Sequence, residues 1–217
     1  MKKIAITFLI LCFAISAPFM VCAEEQQAGQ KPAKGKAGVF ARIEKTVSGV
    51  KTVASEFRQE RRLAMLKEPA LSSGRFYYEK PDKLRWEFID PALSGFLVNG
   101  KLAKQWKGKD NPGEAFDIQQ NPVIRLIVDQ IVAWTKADFV WIEQRYSIAV
   151  VKDNPIVLKL IPRSSKENKY IDHLLISFEI DTEYVNAVGI IERGGDSTSI
   201  KFVHMVVNGP LQKDLFE

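Results

Sequence analysis

The chain has 217 residues and a formal net charge of +5, with two cysteines and two histidines. This length is sufficient for one sizeable domain with its own apolar core. The small net charge argues against a nucleic-acid-binding protein, which would need a clustered basic face. Cys12 and Cys22 both lie within the first 23 residues, so a chain cleaved after residue 23 would have neither a disulfide nor a reactive thiol.

The amino terminus has the pattern of a secretory signal. Lys2 and Lys3 precede the apolar run IAITFLILCFAI, and small residues end at Ala23. We therefore predict a signal peptide over residues 1–23, cleaved after Ala23, and export to the periplasm. An uncleaved membrane anchor is the alternative, but the apolar run is short for a membrane span.

Residues 24–38 are rich in Gln, Lys, Ala and Gly and have almost no large apolar residue. This composition predicts a disordered leader, followed by one folded domain over 39–217. The domain begins with apolar residues at three- and four-residue steps, which predicts a helix from Val39 to Ser48. An extended segment through FRQERRLAML is expected to follow it.

A second helix is predicted over Asn121–Asp138. Asn121 is a suitable N-cap, and Pro122 suits the first helical position. The helix is too short and too charged to span a membrane. Its apolar stripe is compatible either with packing in a core or with covering an open barrel.

Most of the remaining domain alternates apolar and polar residues, which predicts short antiparallel strands in a sheet or barrel. Asn99-Gly100 is a strong signal for a hairpin between two of them. The other predicted strand segments are, in chain order, FVWIEQ, YSIAVVK, IVLKLIP, HLLISFEI, VNAVGIIER and STSIKFVHMVV.

The stretch SSGRFYYEKPDKLRWEF, residues 72–88, has the most regular alternation. A turn at Lys80–Lys83 separates two strands, and one face of this hairpin is apolar and largely aromatic. The alternation alone leaves two interpretations open. The apolar face could be an ordinary packed core, or it could line a ligand cavity.

The sequence contains no recognisable catalytic or metal-binding motif. It has no nucleophile elbow of GxSxG type and no glycine-rich phosphate loop. His173 and His204 are not at metal-ligand spacing, and no cysteine complements them. We therefore expect a non-enzymatic protein without a metal or other cofactor.

The chain resembles the periplasmic outer-membrane lipoprotein carriers, the LolA-like family, as a divergent branch. The resemblance depends on EFRQER, SSGRFYYEKPDKLRWEFIDP, FLVNGK and STSIKFVHMVVNGPLQKDLF, and these segments extend over most of residues 39–216. It implies an incomplete antiparallel β-barrel enclosing an apolar cavity, with Val39–Ser48 and Pro122–Thr135 as lid helices. It also implies a carrier that accepts acylated lipoproteins or other lipids from an inner-membrane exporter and passes them to an outer-membrane receptor.

The resemblance also implies roles for individual residues. The residues expected to line the cavity are Phe76, Tyr78, Leu84, Trp86, Phe88 and Leu97 from the strands, and Leu126, Ile127, Ile131 and Trp134 from the lid. Lys80 and Arg85 are expected to gate the lid. The main branch of the family has Arg at the position of Lys80, and Lys lacks the planar fork of that side chain.

Two other functions are compatible with the same fold. A lipid-sensing module would bind a lipid and regulate a partner protein. A hydrolase would turn over an acyl ester, although the missing catalytic motifs count against it. The carrier is expected to be a monomer, and it needs no nucleic acid.

Overall fold

The computed structural model describes residues 35–108, 113–117, 122–165 and 167–217, with the backbone alone for 122–127. The chain divides into two compact units, Met1–Pro32 and Ala33–Glu217, and all the described residues belong to the second. The predicted signal peptide and residues 24–34 of the predicted leader lie outside the described residues.

The described chain forms three helices and eleven strands. The helices are α1 (Lys36–Ser48), α2 (Pro122–Lys136) and α3 (Phe139–Arg145). The strands are β1 (Thr52–Arg62), β2 (Ala70–Glu79), β3 (Lys83–Asp90), β4 (Ser94–Asn99), β5 (Leu102–Lys107), β6 (Glu114–Asp117), β7 (Tyr146–Asp153), β8 (Ile156–Pro162), β9 (Ile171–Phe178), β10 (Val185–Glu192) and β11 (Ser197–Val207).

All eleven strands belong to one antiparallel sheet, in the order β6-β5-β4-β3-β2-β1-β11-β10-β9-β8-β7. The first and last strands of the chain, β1 and β11, pair at its centre, and sequential hairpins extend from them in both directions. The edge strands β6 and β7 do not pair with each other, so the sheet is not closed. This architecture confirms the predicted incomplete antiparallel barrel with helices.

The turns follow the predicted signals. Gly100 has φ of 64°, the left-handed conformation that the Asn99-Gly100 turn between β4 and β5 requires. The turn at Lys80–Asp82 joins β2 to β3, with Glu79 opposite Lys83. The backbone N–H of Lys80 also donates to Lys51 O at 2.8 Å, which connects this turn to the start of β1.

Three predictions of local structure were wrong. The segment FVWIEQ is helix α3 instead of a strand, because Asp138 accepts a hydrogen bond from the backbone N–H of Trp141 and caps it. Helix α1 begins at Lys36, three residues before the predicted start and inside the predicted leader. Strand β1 ends at Arg62 instead of continuing through the apolar residues that follow.

The three helices contact one face of the sheet, which we call the inner face. Trp134 of α2 contacts Phe178 of β9, with ring centroids 6.5 Å apart. The rings of Phe40 in α1 and Phe139 in α3 are stacked at 3.8 Å, and they connect these two helices. Helix α1 buries Val39, Ile43 and Val47, and the last two belong to the apolar stripe that predicted the helix.

Candidate functional site

Five of the six strand residues predicted to line a cavity lie together on the inner face. In antiparallel pairing, directly opposed residues share a face of the sheet. Phe76 pairs with Trp86, Tyr78 pairs with Leu84, and Phe88 pairs with Gly74 between β2 and β3. The relative exposure of the five predicted residues is between 0% and 8%.

Three aromatic residues of this group, Phe76, Trp86 and Phe88, form a continuous cluster with Phe57. The ring of Phe57 lies 4.6 Å from Trp86 and 5.2 Å from Phe88, and Phe76 lies 5.6 Å from Trp86. Phe202 of β11 completes the group at 5.8 Å from Phe76 and 6.1 Å from Trp86. We call Phe57, Phe76, Trp86, Phe88 and Phe202 the aromatic cluster. Tilted and edge-on contacts of this kind add stability beyond the area that the rings bury.

A glycine makes room for the cluster. Gly74 lies opposite Phe57, and a Cβ added at Gly74 would come within 2.6 Å of the Phe57 ring and 1.9 Å of Glu87 O. Only a residue without a side chain fits this position. The close approach fixes the Phe57 ring against β2.

Leu97 does not lie with the other predicted residues. It pairs with Arg85 and Lys104, so its side chain is on the outer face of the sheet, where it is 4% exposed. Its neighbour Val98, which pairs with Leu84, occupies the corresponding position on the inner face. Both residues of the Leu97-Val98 pair are apolar, so alternation in the sequence could not decide which of them points inward.

Sequence reasoning also missed Phe57 and Phe202. Phe57 lies in a segment whose periodicity suited both helix and strand. Phe202 lies in STSIKFVHMVV, where consecutive apolar residues and a bulge near His204 obscure the alternation. Pairing between the first and last strands brings these two residues opposite each other.

The middle of the inner face is apolar but only partly covered. Val188 and Ile190 of β10 and Phe202 of β11 all lie on this face by register, and all three are half-buried. To one side are the four buried members of the aromatic cluster. To the other side, Leu158, Leu174 and Ile176 are almost completely buried on β8 and β9. The three half-buried apolar residues therefore lie between two buried groups.

The polarity of the inner face also changes along the strands. Near the Lys80–Asp82 turn, its residues are apolar or uncharged, such as Tyr78, Leu84 and Val98. Toward the opposite end of strands β1–β5 and β11, the same face includes Gln59, Arg61, Ser72, Ser94, Lys107 and Thr198. In this part of the sheet, the inner face is thus apolar near one end and polar with basic residues near the other.

The predicted lid residues are described in part. Trp134 contacts Phe139 and Phe178, and Ile131 is half-buried on the same helix. The side chains of Leu126 and Ile127 lie outside the described residues. The Tyr78 hydroxyl interacts with Thr135, which brings the C-terminal end of α2 next to β2.

Lys80 contacts the C-terminal end of α1, and its gating role stays a prediction. Its Nζ donates to Val47 O and Ser48 O, in both cases at 3.4 Å. These are the carbonyls that a helix C-terminus leaves without intrahelical partners, and a cation there is favourable. Both distances are at the upper limit of hydrogen bonding, so each contact is weak.

Arg42 makes stronger contacts at the other side of α1. Its Nη1 donates to Asp153 Oδ1 at 2.7 Å, its Nη2 to Asp153 O at 2.9 Å and its Nε to Glu183 Oε1 at 2.8 Å. Burial lowers the pKa of Arg42, but the two carboxylates raise it by more, so the guanidinium stays charged. Arg42 therefore holds α1 to the β7–β8 and β9–β10 turns.

Arg85 lies on the outer face, away from the helices. Its Nη1 donates to Leu215 O at 3.2 Å, its Nη2 donates to Glu87 at 2.9 Å, and its guanidinium covers the Trp106 ring at 4.7 Å. Phe216 is 6% exposed in the same region. Arg85 thus anchors the segment around Leu215 and Phe216, and we do not include it in the proposed gate.

Each of the two histidines contacts a carboxylate. His173 contacts Asp172 at 2.7 Å, and this hydrogen bond lowers the pKa of the Asp172 carboxyl. His204 contacts Glu56 at 3.1 Å on the exposed outer face. Among the described residues, no group of three or more His, Cys, Asp or Glu could hold a metal ion.

Residues 48–217 match the family described as outer membrane lipoprotein carrier protein LolA. The chain therefore belongs to the LolA family, as a divergent member. No curated protein matches the chain. Among the described residues, no helix has the length and apolar character needed to cross a membrane.

Several solved structures are similar to the chain at low sequence identity. One is the MucA/MucB complex of Pseudomonas aeruginosa, at 12% identity and a TM-score of 0.47, where the match covers 83% of this chain and 60% of the other. Another is a LolA superfamily protein of Nitrosomonas europaea, at 8% identity and a TM-score of 0.44, with 83% and 96% covered. A third is the lipoprotein LppX of Mycobacterium tuberculosis, at 13% identity and a TM-score of 0.47, with 83% and 100% covered.

Proposed function

We propose that this protein is a periplasmic carrier, without enzymatic activity, that shields the acyl chains of lipoproteins or related lipids and delivers them toward the outer membrane. Membership of the LolA family supports this role. The observation that carries the proposal is the half-buried apolar surface in the middle of the inner face, formed by Val188, Ile190 and Phe202. Exposed contiguous apolar surface in a folded protein commonly marks a binding site.

The energetics of acyl chains explain why such a surface would be useful. Each CH₂ group removed from water contributes about 0.8 kcal/mol, so a chain of ~16 carbons is disfavoured in water by roughly 13 kcal/mol. Release through water would be very slow. A carrier must therefore cover the chain without packing it as tightly as a core, and it must release the chain on contact with an acceptor.

The proposed site extends from the aromatic cluster across β11 and β10 toward the helices. Neighbouring strands lie about 4.8 Å apart, so the four intervals from β3 to β10 span roughly 19 Å along the sheet. This distance suits an extended acyl chain. Of the predicted lining set, we keep Phe76, Tyr78, Leu84, Trp86 and Phe88 and add Phe57, Val188, Ile190 and Phe202.

Helix α1 is the proposed moving cover. Its inward stripe is apolar, whereas its attachment to the sheet turns includes polar contacts through Arg42 and Lys80. Polar contacts of this kind can be exchanged for water more readily than buried apolar ones. The proposed partners are acylated lipoproteins or other lipids, an inner-membrane exporter and an outer-membrane receptor. The assignment of 1–23 as signal peptide, 24–38 as leader and 39–217 as carrier domain stays a prediction.

A matched pair of variants on β11 tests acyl binding. Phe202→Glu places a charge in the proposed site, whereas Val206→Glu places it at an exposed position of the same strand, where the side chain is 54% exposed. We expect Phe202→Glu to abolish binding of a fluorescent C16 fatty acid while circular dichroism still shows a folded protein. Val206→Glu should bind like the wild type. Equal binding by all three proteins would contradict the proposed site.

Delivery needs a separate experiment. The full-length protein would be purified from the periplasm without detergent, and native mass spectrometry would identify what it carries. A bound acylated protein or lipid, together with transfer of that cargo from inner- to outer-membrane vesicles, is the expected result. A stable complex with a partner protein and no transfer between vesicles would instead support the lipid-sensing module.

A further inference from the structure

The indole N–H of Trp86 is a buried hydrogen-bond donor without an acceptor. Trp86 is 7% exposed, and among the described residues its Nε1 atom has no hydrogen-bond partner. A buried polar group that makes no hydrogen bond destabilises the fold, and buried tryptophan N–H groups usually have an acceptor. The part of the chain that the structure describes does not supply one for Trp86.

The surroundings of Trp86 explain the absence. Four of its neighbours are the phenylalanines of the aromatic cluster, at centroid distances from 4.6 to 6.4 Å. Phenylalanine side chains have no oxygen or nitrogen that could accept a hydrogen bond. A phenylalanine at position 86 would fill an apolar core without this cost, so core packing alone does not account for the indole.

Trp86 also lies where the inner face changes character. Toward the Lys80–Asp82 turn are the apolar neighbours Leu84 and Val98. Toward the other end of the strands, Phe88 and its partner Ser94 follow on the same face, and Gln59 lies beyond them. A ligand that has both an apolar chain and a polar end would place the bond that joins the two in this region.

On the basis of the proposed acyl binding, we propose that Trp86 donates a hydrogen bond to the carbonyl oxygen of an ester- or amide-linked acyl chain. The chain would lie over the aromatic cluster and the half-buried residues of β10 and β11, and the polar remainder would point toward the Gln59 and Ser94 end. Trp86 would thus distinguish acyl esters and amides from plain hydrocarbon. This deepens the proposed function by naming the bond in the cargo that the site recognises.

Two probes of matched length test the proposal. Methyl hexadecanoate has an ester carbonyl, and octadecane has none. Each is delivered from methyl-β-cyclodextrin and displaces the fluorescent C16 fatty acid from the full-length protein. We expect the wild type to prefer the ester by about fivefold, the effect of one neutral hydrogen bond. Trp86→Phe should lose this preference, mainly through weaker binding of the ester.

Trp106→Phe is the control variant. Trp106 lies on the outer face under Arg85, so its replacement should leave the ester preference unchanged. Equal binding of both probes to the wild type, or an unchanged preference in Trp86→Phe, would overturn the proposal and leave acyl binding intact. Binding of neither probe would overturn the proposed function as well.

A spectroscopic measurement covers the case in which Trp86→Phe does not fold. The wild type has four tryptophans and therefore four indole ¹H–¹⁵N cross-peaks. The Trp86 cross-peak should move downfield when methyl hexadecanoate binds and should not do so with octadecane. If the two probes shift this cross-peak equally, no hydrogen bond to the ester forms and the proposal fails.

Discussion

The inner face has two buried parts that are filled differently. On β7–β9 it is mainly aliphatic, with Leu158 and Leu160 fully buried and Ile176 at 2% exposure. On β1–β3 and β11 it is aromatic, and large rings meet in tilted and edge-on contacts. Between the two parts, Val188 of β10 is only half-buried.

The helices account for part of this difference. Helix α3 packs next to β7 and buries Phe139 and Ile142, and Trp134 of α2 contacts Phe178 on β9. The aliphatic part is therefore a conventional core between helices and sheet. The aromatic part meets the half-buried middle strands at Phe202. We infer that the first part mainly stabilises the fold and that the second part mainly binds cargo.

The largest expected effect is on the stability of the aliphatic part. Leu158→Ala removes a fully buried side chain from β8 and should lower the free energy of unfolding by about 2–5 kcal/mol. Ile161→Ala, at a position of the same strand that is 40% exposed, should cost less than 1 kcal/mol. Urea-induced unfolding measures both values. Similar losses in the two variants would show that the aliphatic part is not the principal core.

A smaller effect is expected at alkaline pH. Burial raises the pKa of Tyr146 to about 12, from an ordinary value of 10.0. The contribution of protonated Tyr146 to the free energy of unfolding is fully present below pH 10. It is lost as the pH rises through the folded-state pKa, because in this range Tyr146 ionises readily only in the unfolded protein. The loss amounts to at most about 3 kcal/mol.

Two tyrosine variants compare the alkaline loss of stability in the aliphatic and aromatic parts of the inner face. Burial also raises the pKa of Tyr78, which lies on β2 near the aromatic cluster, but a hydrogen bond to Thr135 opposes the effect. Tyr146→Phe should therefore reduce the alkaline loss of stability more than Tyr78→Phe does, as measured by urea unfolding at pH 9 and pH 11. The opposite order would place the less accessible hydroxyl in the aromatic part.

Much of this fold could be predicted from local sequence. The hairpin at Asn99-Gly100, the alternation from Leu84 to Phe88 and the stripe of α1 all depend on neighbours in the chain, and the structure confirms them. Helix α3 could not be recognised because seven residues are too few to separate a helical from a strand period. The decisive signal was the cap at Asp138.

The candidate site was less predictable, because its composition depends on pairing between distant strands. Phe57 meets Phe202 only because β1 pairs with β11. Leu97 lies on the outer face because register, which the sequence does not encode locally, decides between two adjacent apolar residues. The contacts of Arg42 with two turns more than a hundred residues away could not be predicted either.

A pair of glycine variants probes the tightness of packing in the aromatic cluster. Gly74→Ala would bring a methyl group against Glu87 O and the Phe57 ring, so we expect a loss of about 1–3 kcal/mol in stability. Gly189→Ala on β10 meets Leu175 at an ordinary 3.5 Å and should be close to neutral. Thermal unfolding measures the difference. A neutral Gly74→Ala would mean that Phe57 moves easily, and the cluster would then be a looser wall than we infer.

The smallest effects are expected at the two attachments of α1. Arg42 makes three charge-assisted hydrogen bonds at 2.7–2.9 Å, whereas Lys80 makes two at 3.4 Å. Short bonds to charged groups contribute more than long ones. Part of the Arg42 contribution is screened because its side chain is 36% exposed. We therefore expect Arg42→Gln to speed association of the fluorescent C16 fatty acid by about tenfold, and Lys80→Gln by less than threefold.

Stopped-flow fluorescence at low and high salt measures both association rates. High salt should reduce the difference between the wild type and Arg42→Gln, because the interaction of Arg42 with Asp153 and Glu183 is partly exposed to solvent. A larger effect of Lys80→Gln would assign the principal attachment of α1 to the aromatic side of the sheet, as the family resemblance suggested. A larger effect of Arg42→Gln would mean that the cover is held over the aliphatic part and opens over the aromatic cluster, which is the direction from which cargo would enter.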